Sequence, residues 1–200
     1  MTSSSNSLKP GDHLYLIDGS GFIFRAYFQS TNQDPKYNSR SDGLPVGAVR
    51  LYCNMLWGLV KGKAIEPKPT HLAVIFDYSS KTFRSDFYPE YKAHRPEPPA
   101  DMRPQFGLIR QATRAFNLPC IEKENFEADD IIATYARLAV EAGATCRIVT
   151  SDKDMMQLIG NGVDLFDPAK EKPVGEAEVL EKFGVTPNKV VDVQALAGDS

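Results

Sequence analysis

Apolar and β-branched residues fall along this chain in short compact runs, HLYLI (13–17), HLAVIF (71–76), LPCIE (118–122), TCRIVT (145–150) and VDLF (163–166), each bounded by polar or turn residues. Runs of this length and composition predict strands. Between them, longer stretches with helical spacing predict helices over 46–63, 104–117, 127–142, 152–159, 176–183 and 187–197, and Gly143 stands where a C-terminal glycine cap belongs. Strands separated by helices rather than by two-residue turns imply right-handed crossovers, hence an α/β fold with a mostly parallel sheet and helices on both faces. The polar opening, residues 1–12, reads as a disordered tail, which leaves 13–200 as one core.

One stretch breaks this rhythm. Residues 78–104, YSSKTFRSDFYPEYKAHRPEPPADMRP, combine aromatics, basic residues and five prolines without an apolar stripe that could dock on a sheet. Loops this long inside a compact domain are functional or disordered. An excursion from the body of the domain that orders on a ligand is expected here.

Composition narrows the picture. With 200 residues, 42% apolar and 24% charged, the chain has the make-up of a globular domain, not of a disordered or fibrous one. A net charge of −3 argues at first against a nucleic-acid partner. By region, however, residues 1–80 carry 8 Lys and Arg against 6 Asp and Glu, residues 81–119 carry 7 against 4, and residues 120–200 carry 8 against 16. A basic middle facing an acidic end suggests a divided surface. Cys53, Cys120 and Cys146 form no C-x-x-C pair and read as small core residues. With no apolar leader and no run long enough to span a bilayer, a reducing, cytoplasmic compartment is expected.

The chemistry lies in the acids. Each of three predicted strands is followed by aspartate: Asp18 after LYLI, Asp77 after LAVIF, and Asp152 with Asp154 after RIVTS. A single such Asp could cap the next helix or make an Asx-turn. Three are harder to dismiss, because parallel strands set their carboxyl ends along the edge where ligands bind. A fourth element, FEADDIIATYARLA (126–139), crowds Glu127, Asp129 and Asp130 into one helical turn. The helix dipole rewards an acid there by only about 0.3–1 kcal/mol, and mutual repulsion offsets part of that. If these acids share one crevice, about seven carboxylates converge, and like charges so gathered take up protons or bind cations. Oxygen donors without His or Cys select magnesium, manganese or calcium over zinc, and their number suggests two ions, an arrangement suited to phosphodiester hydrolysis. No nucleophile elbow surrounds Ser20, and His13, His71 and His94 are scattered. GSGF (19–22) is weak as a phosphate loop, since position 24 is Phe.

The ordered set LIDGSGFIFRAYF, VIFDYSSKTFR, YPEYKAHRP, FEADDIIAT, VTSDKDMMQL and LAGDS resembles the 5′-nucleases of the flap endonuclease type, above all the N-terminal 5′→3′ exonuclease domain family of bacterial DNA polymerase I. The resemblance runs from about Leu14 to Ser200. It implies a PIN-like (resolvase-like) α/β fold with a helical arch or clamp at about 78–104. It also implies cleavage of 5′ ends and flaps of DNA with two Mg2+ or Mn2+ ions, in replication and repair. The family's metal carboxylates match Asp18, Asp77, Glu127, Asp129, Asp130, Asp152, Asp154 and Asp199. Tyr91, Lys92 and Arg95 match residues at the base of the arch, and Arg25 and Arg84 match phosphate contacts. On that match Lys92, Arg95 and Asp152 are the catalytic candidates, and Tyr91 offers a π-face to an unpaired base. If the segment is helical, Lys92 and Arg95 share a face.

The family pattern continues past LAGDS into another metal Asp and a helix–hairpin–helix that grips duplex DNA with a potassium ion, then into a polymerase in cis. A truncated core is therefore expected. The other implied properties are a monomer, no membrane contact and a nucleoid-associated bacterial location. An alternative of another class is a catalytically impaired fragment that binds DNA structures. A haloacid-dehalogenase-like phosphatase is disfavoured because position 20 is Ser, and a PIN-class toxin would lack the YKAHR insertion.

Overall fold

The computed structural model describes residues 7–61 and 66–198. Strands are β1 (His13–Asp18), β2 (His71–Ile75), β3 (Cys120–Ile121), β4 (Thr145–Val149), β5 (Val163–Asp167) and β6 (Lys172–Val174). Helices are α1 (Gly19–Thr31), α2 (Gly47–Val60), α3 (Phe83–Phe87), α4 (Arg103–Ala115), α5 (Ala128–Glu141), α6 (Glu176–Phe183) and α7 (Val190–Ala197). The strands form one sheet in the order β3-β2-β1-β4-β5-β6. β1 with β4, β4 with β5 and β2 with β3 are parallel, whereas β6 runs antiparallel to β5 at the edge. The expected mostly parallel α/β architecture is thus present.

The chain divides into two compact units. The first comprises the described parts of Met1–Ile17, Pro67–Leu72 and Ile132–Ser200. Its centre is the buried run Leu14–Ile17 of β1 against Ile148 and Val149 of β4 and Leu165 and Phe166 of β5. Residues 9–12, expected to belong to a disordered tail, form a turn instead. The Asp12 carboxylate accepts from Lys9 N, since a buried acid must find donors, and Gly11 N donates to Gly143 O. Residues 1–6 lie outside the described set.

The second unit comprises Asp18–Glu66 and Ala73–Ile131. Its core joins α1, α2 and α4 around Phe22, Ile23, Tyr52, Leu56, Phe76 and Ile109. Helix α2 starts after Val46, which has no side chain able to cap it, so Gln105 of α4 supplies the acceptor to Ala48 N (2.8 Å) and Val49 N (3.2 Å). A hydrogen bond between the fully buried Tyr52 hydroxyl and Thr113 Oγ1 (2.6 Å) ties α2 to α4 again.

The structure differs from the sequence reading at four places. Helix α1 escapes the pattern because its opening GSGF is poor in helix formers and the rest is apolar nearly all round. Residues 153–158 form a 3₁₀ segment rather than an α-helix, and a second 3₁₀ turn, Pro187–Lys189, precedes α7. β3 is only two residues long. The segment 78–104 is neither a free excursion nor a helical arch. After the five-residue α3 it runs through consecutive turns from Tyr88 to Arg95, with Lys92 at φ 55°, so Lys92 and Arg95 do not share a helical face. Its ends are anchored by buried Thr82 and Met102.

Candidate active site

In the second unit the acids are fastened one by one. Asp18 caps α1 through Gly21 N (2.9 Å) and is only 7% exposed. The glycines beside it answer crowding: a Cβ on Gly21 would lie 2.6 Å from Asp18 Oδ2, and one on Gly19 would lie 2.4 Å from the Phe76 ring and 2.8 Å from Ile75 O. GSGF is thus a close-packing device rather than a phosphate loop. Asp77 is bound through both backbone and side chain. Its N–H donates to Ser20 Oγ (3.0 Å), its carbonyl accepts from Arg110 Nη2 (2.6 Å), and its Oδ1 accepts from Ala128 N (2.8 Å), which caps α5 from outside.

At the head of α5, Glu127 and Asp130 meet cations from the turn segment. Lys92 Nζ donates to Glu127 Oε2 at 2.7 Å, and the Tyr91 hydroxyl donates to the same oxygen at 3.3 Å. Arg84 grips Asp130 with two bonds of 2.6 and 2.7 Å, and Asp130 also accepts from Glu127 N (3.0 Å). The Arg84 fork holds the Asp130 carboxyl below its ordinary range against the opposing effect of burial. Burial works against the Lys92 ammonium, yet the bond to Glu127 wins and its pKa lies above the usual value. Burial raises the Tyr91 phenol. Arg84 and Lys92 are therefore committed to carboxylates here rather than presented to solvent as phosphate contacts. Arg95 is exposed. Arg25 is half-buried, and its Nε and Nη1 are buried without a protein acceptor.

In the first unit, Asp152 and Asp154 accept from neutral donors. Asp152 is exposed and caps the 3₁₀ segment by accepting from Asp154 N (2.8 Å), while its own N–H donates to Thr150 Oγ1 (3.0 Å). Asp154 accepts from the Gln194 amide. Asp199 lies outside the described residues. Among the described residues no group of three or more His, Cys, Asp or Glu side chains is set to hold a metal ion. The donor chemistry nevertheless suits a hard divalent cation, since the candidates are all carboxylate oxygens and two of them, Asp18 and Glu127, are buried charges.

Residues 13–184 match the family described as 5′-3′ exonuclease, N-terminal resolvase-like domain. The chain belongs to that family. It is 58% identical over 196 residues to DNA polymerase I of Rhizobium leguminosarum, covering 96% of this chain and 19% of the relative. It is 34% identical over 186 residues to the 5′-3′ exonuclease of Aquifex aeolicus, covering 93% and 61%. Its fold is similar to that of the bacteriophage T5 flap endonuclease in a complex with DNA and metal ions (TM-score 0.68, 19% identity, 94% of this chain and 66% of that one). The chain thus spans about one fifth of the length of the Rhizobium polymerase. The 5′-nuclease resemblance and the PIN-like α/β fold read from the motifs are borne out.

Within this exonuclease domain, sequence reasoning passed over several supporting residues. Asp167 ends β5, is 8% exposed and accepts from Ser151 Oγ and Ala169 N, both at 2.8 Å, so it braces the residue before Asp152. The rule that selects Asp18, Asp77 and Asp152, an acid at the carboxyl end of a strand, selects Asp167 after VDLF as well. Arg110 and Ser20, which position Asp77, carry no such signal. His13 and Thr145 share a 2.6 Å hydrogen bond, in line with a structural histidine. The cysteines are free, and burial pushes the Cys146 thiol up to about 12, while Cys53 and Cys120 are only half-buried. No helix among the described residues is long and apolar enough to cross a membrane.

Proposed function

We propose that this chain is the nuclease portion of a DNA polymerase I and hydrolyses phosphodiester bonds at the 5′ ends and flaps of DNA, with a polymerase domain in cis. The observation that carries the reading is the Glu127–Asp130 turn with Lys92 and Arg84 upon it: acids and cations stand together at the head of one helix, as cleavage of a phosphate beside a metal requires. Asp18, Asp77, Glu127, Asp129 and Asp130 of the second unit, and Asp152 and Asp154 of the first, are the proposed metal ligands. Two Mg2+ or Mn2+ ions, when bound, supply a hydroxide nucleophile and stabilise the leaving oxygen. Lys92 and Arg84, once released from the carboxylates, hold the scissile phosphate, and Arg25 and Arg95 contact neighbouring phosphates. Arg25 supports this with its two buried nitrogens that have no protein acceptor.

A second reading is binding of branched DNA without cutting. A labelled 5′-flap duplex separates them. The nuclease releases short 5′ products in magnesium or manganese and none in EDTA, and Asp18→Ala abolishes release. Tight binding with no cleavage in either metal would establish the second reading instead.

A further inference from the structure

Three phenylalanines form a cluster on the surface of the second unit. The Phe83 and Phe126 rings lie 5.6 Å apart, and those of Phe83 and Phe87 lie 6.3 Å apart. All three are exposed, Phe83 38%, Phe126 37% and Phe87 73%. Packing does not require this, since α3 has no buried residue at all. The cluster is nonetheless held in place: Phe83 N donates to Asn125 O at 3.0 Å, and Asn125 takes the left-handed conformation (φ 70°) that turns Phe126 toward the head of α5.

Cations border the rings. The Arg84 guanidinium lies 4.6 Å from the Phe83 centroid, and Lys123 Nζ lies 5.1 Å from that of Phe126. From 81 to 95 the chain carries Lys81, Arg84, Lys92 and Arg95 against Asp86 and Glu90. The cluster also sits one residue from the proposed chemistry on both segments of chain. Phe126 precedes Glu127, and Phe83 precedes the Arg84 that grips Asp130.

We infer that Phe83, Phe87 and Phe126 form a stacking platform for unpaired bases of a 5′ single-stranded DNA tail. The inference rests on the nuclease reading above and deepens it. Flat π-faces at the surface, rimmed by cations, fit a ligand with a flat base and an anionic backbone, and stacking of this kind is tolerant of sequence. Phe87 is the ring with the most open face, so it carries the outermost base. Lys81 and Lys123, both exposed, meet the phosphates on either side.

The test is binding in EDTA, where no cleavage intervenes, of a duplex with a 5′ oligothymidine tail carrying 2-aminopurine at its first unpaired position. The wild-type chain quenches the probe. Phe87→Ala weakens binding of the tailed duplex by at least about 5-fold and abolishes the quench, leaves blunt duplex within about twofold, and Phe87→Trp restores both. Unchanged binding and quench in Phe87→Ala would overturn the platform, as would full rescue by Phe87→Leu, which has bulk but no π-face. Magnesium added to the same samples keeps the two readings apart. A wild-type chain that quenches but does not cut refutes the nuclease alone, and a Phe87→Ala chain that cuts and quenches like wild type refutes the platform alone.

Discussion

In the second unit Glu127 and Asp130 face an ammonium and a guanidinium at 2.6–2.7 Å, whereas in the first unit Asp152 and Asp154 accept from a backbone N–H and a side-chain amide. The difference tracks burial. Glu127 is 7% exposed, and a charge so enclosed is costly without a counter-charge, while Asp152 is exposed to water. Acids of one proposed role thus stand in two electrostatic settings. In one, an arriving cation must displace a resident one; in the other, it displaces water and neutral dipoles.

That contrast is open to attack, beginning with the packing beneath the second set. Gly19→Ala drives a methyl into the Phe76 ring and the Ile75 carbonyl, and is expected to lower stability by about 3 kcal/mol in urea unfolding. A loss below about 1 kcal/mol would show that the turn holding Asp18 is not tightly set. Lys92→Ala leaves Glu127 buried with only the long Tyr91 bond, for an expected loss of about 1.5–3 kcal/mol, partly recovered on adding magnesium. A loss that magnesium leaves untouched would contradict the idea that Lys92 stands in for a cation.

Acid titration sharpens the same point. Arg84 lowers the Asp130 pKa, so the pair stabilises the fold above the unfolded-state value near about 4 and loses that contribution as pH falls through the lower folded value. Arg84→Gln should therefore be less stable than wild type at neutral pH, with the gap closing in acid; a gap independent of pH would mean that packing, not charge, joins the two. The smallest effect is expected in the first unit. Asp152→Asn preserves the cap to Asp154 N, so stability should stay within about 0.5 kcal/mol while cleavage falls sharply. A large stability loss there would erase the distinction between the two units.

Much of this architecture is legible from residue order. Apolar runs locate β1, β2, β4 and β5, and the acids at their carboxyl ends include Asp18, Asp77 and Asp152. The features that escape depend on tertiary partners. Helix α1 is poor by propensity and exists because the Asp18 cap and the burial of Phe22, Ile23 and Ala26 override it. Nor can spacing reveal that Lys92 would adopt a positive φ and reach Glu127, because that geometry is made by contacts 35 residues apart.

The bond from Ala128 N to the Asp77 carboxylate reaches beyond capping. An amide proton shared with a charged oxygen is strongly deshielded, and its resonance reports how much negative charge the oxygen keeps. A cation drawing on Asp77 weakens that sharing and moves the signal upfield. If the proposed ion binds Asp77, the first residue of α5 would serve as a spectroscopic gauge of occupancy, readable in a protein that is neither cutting nor bound to DNA.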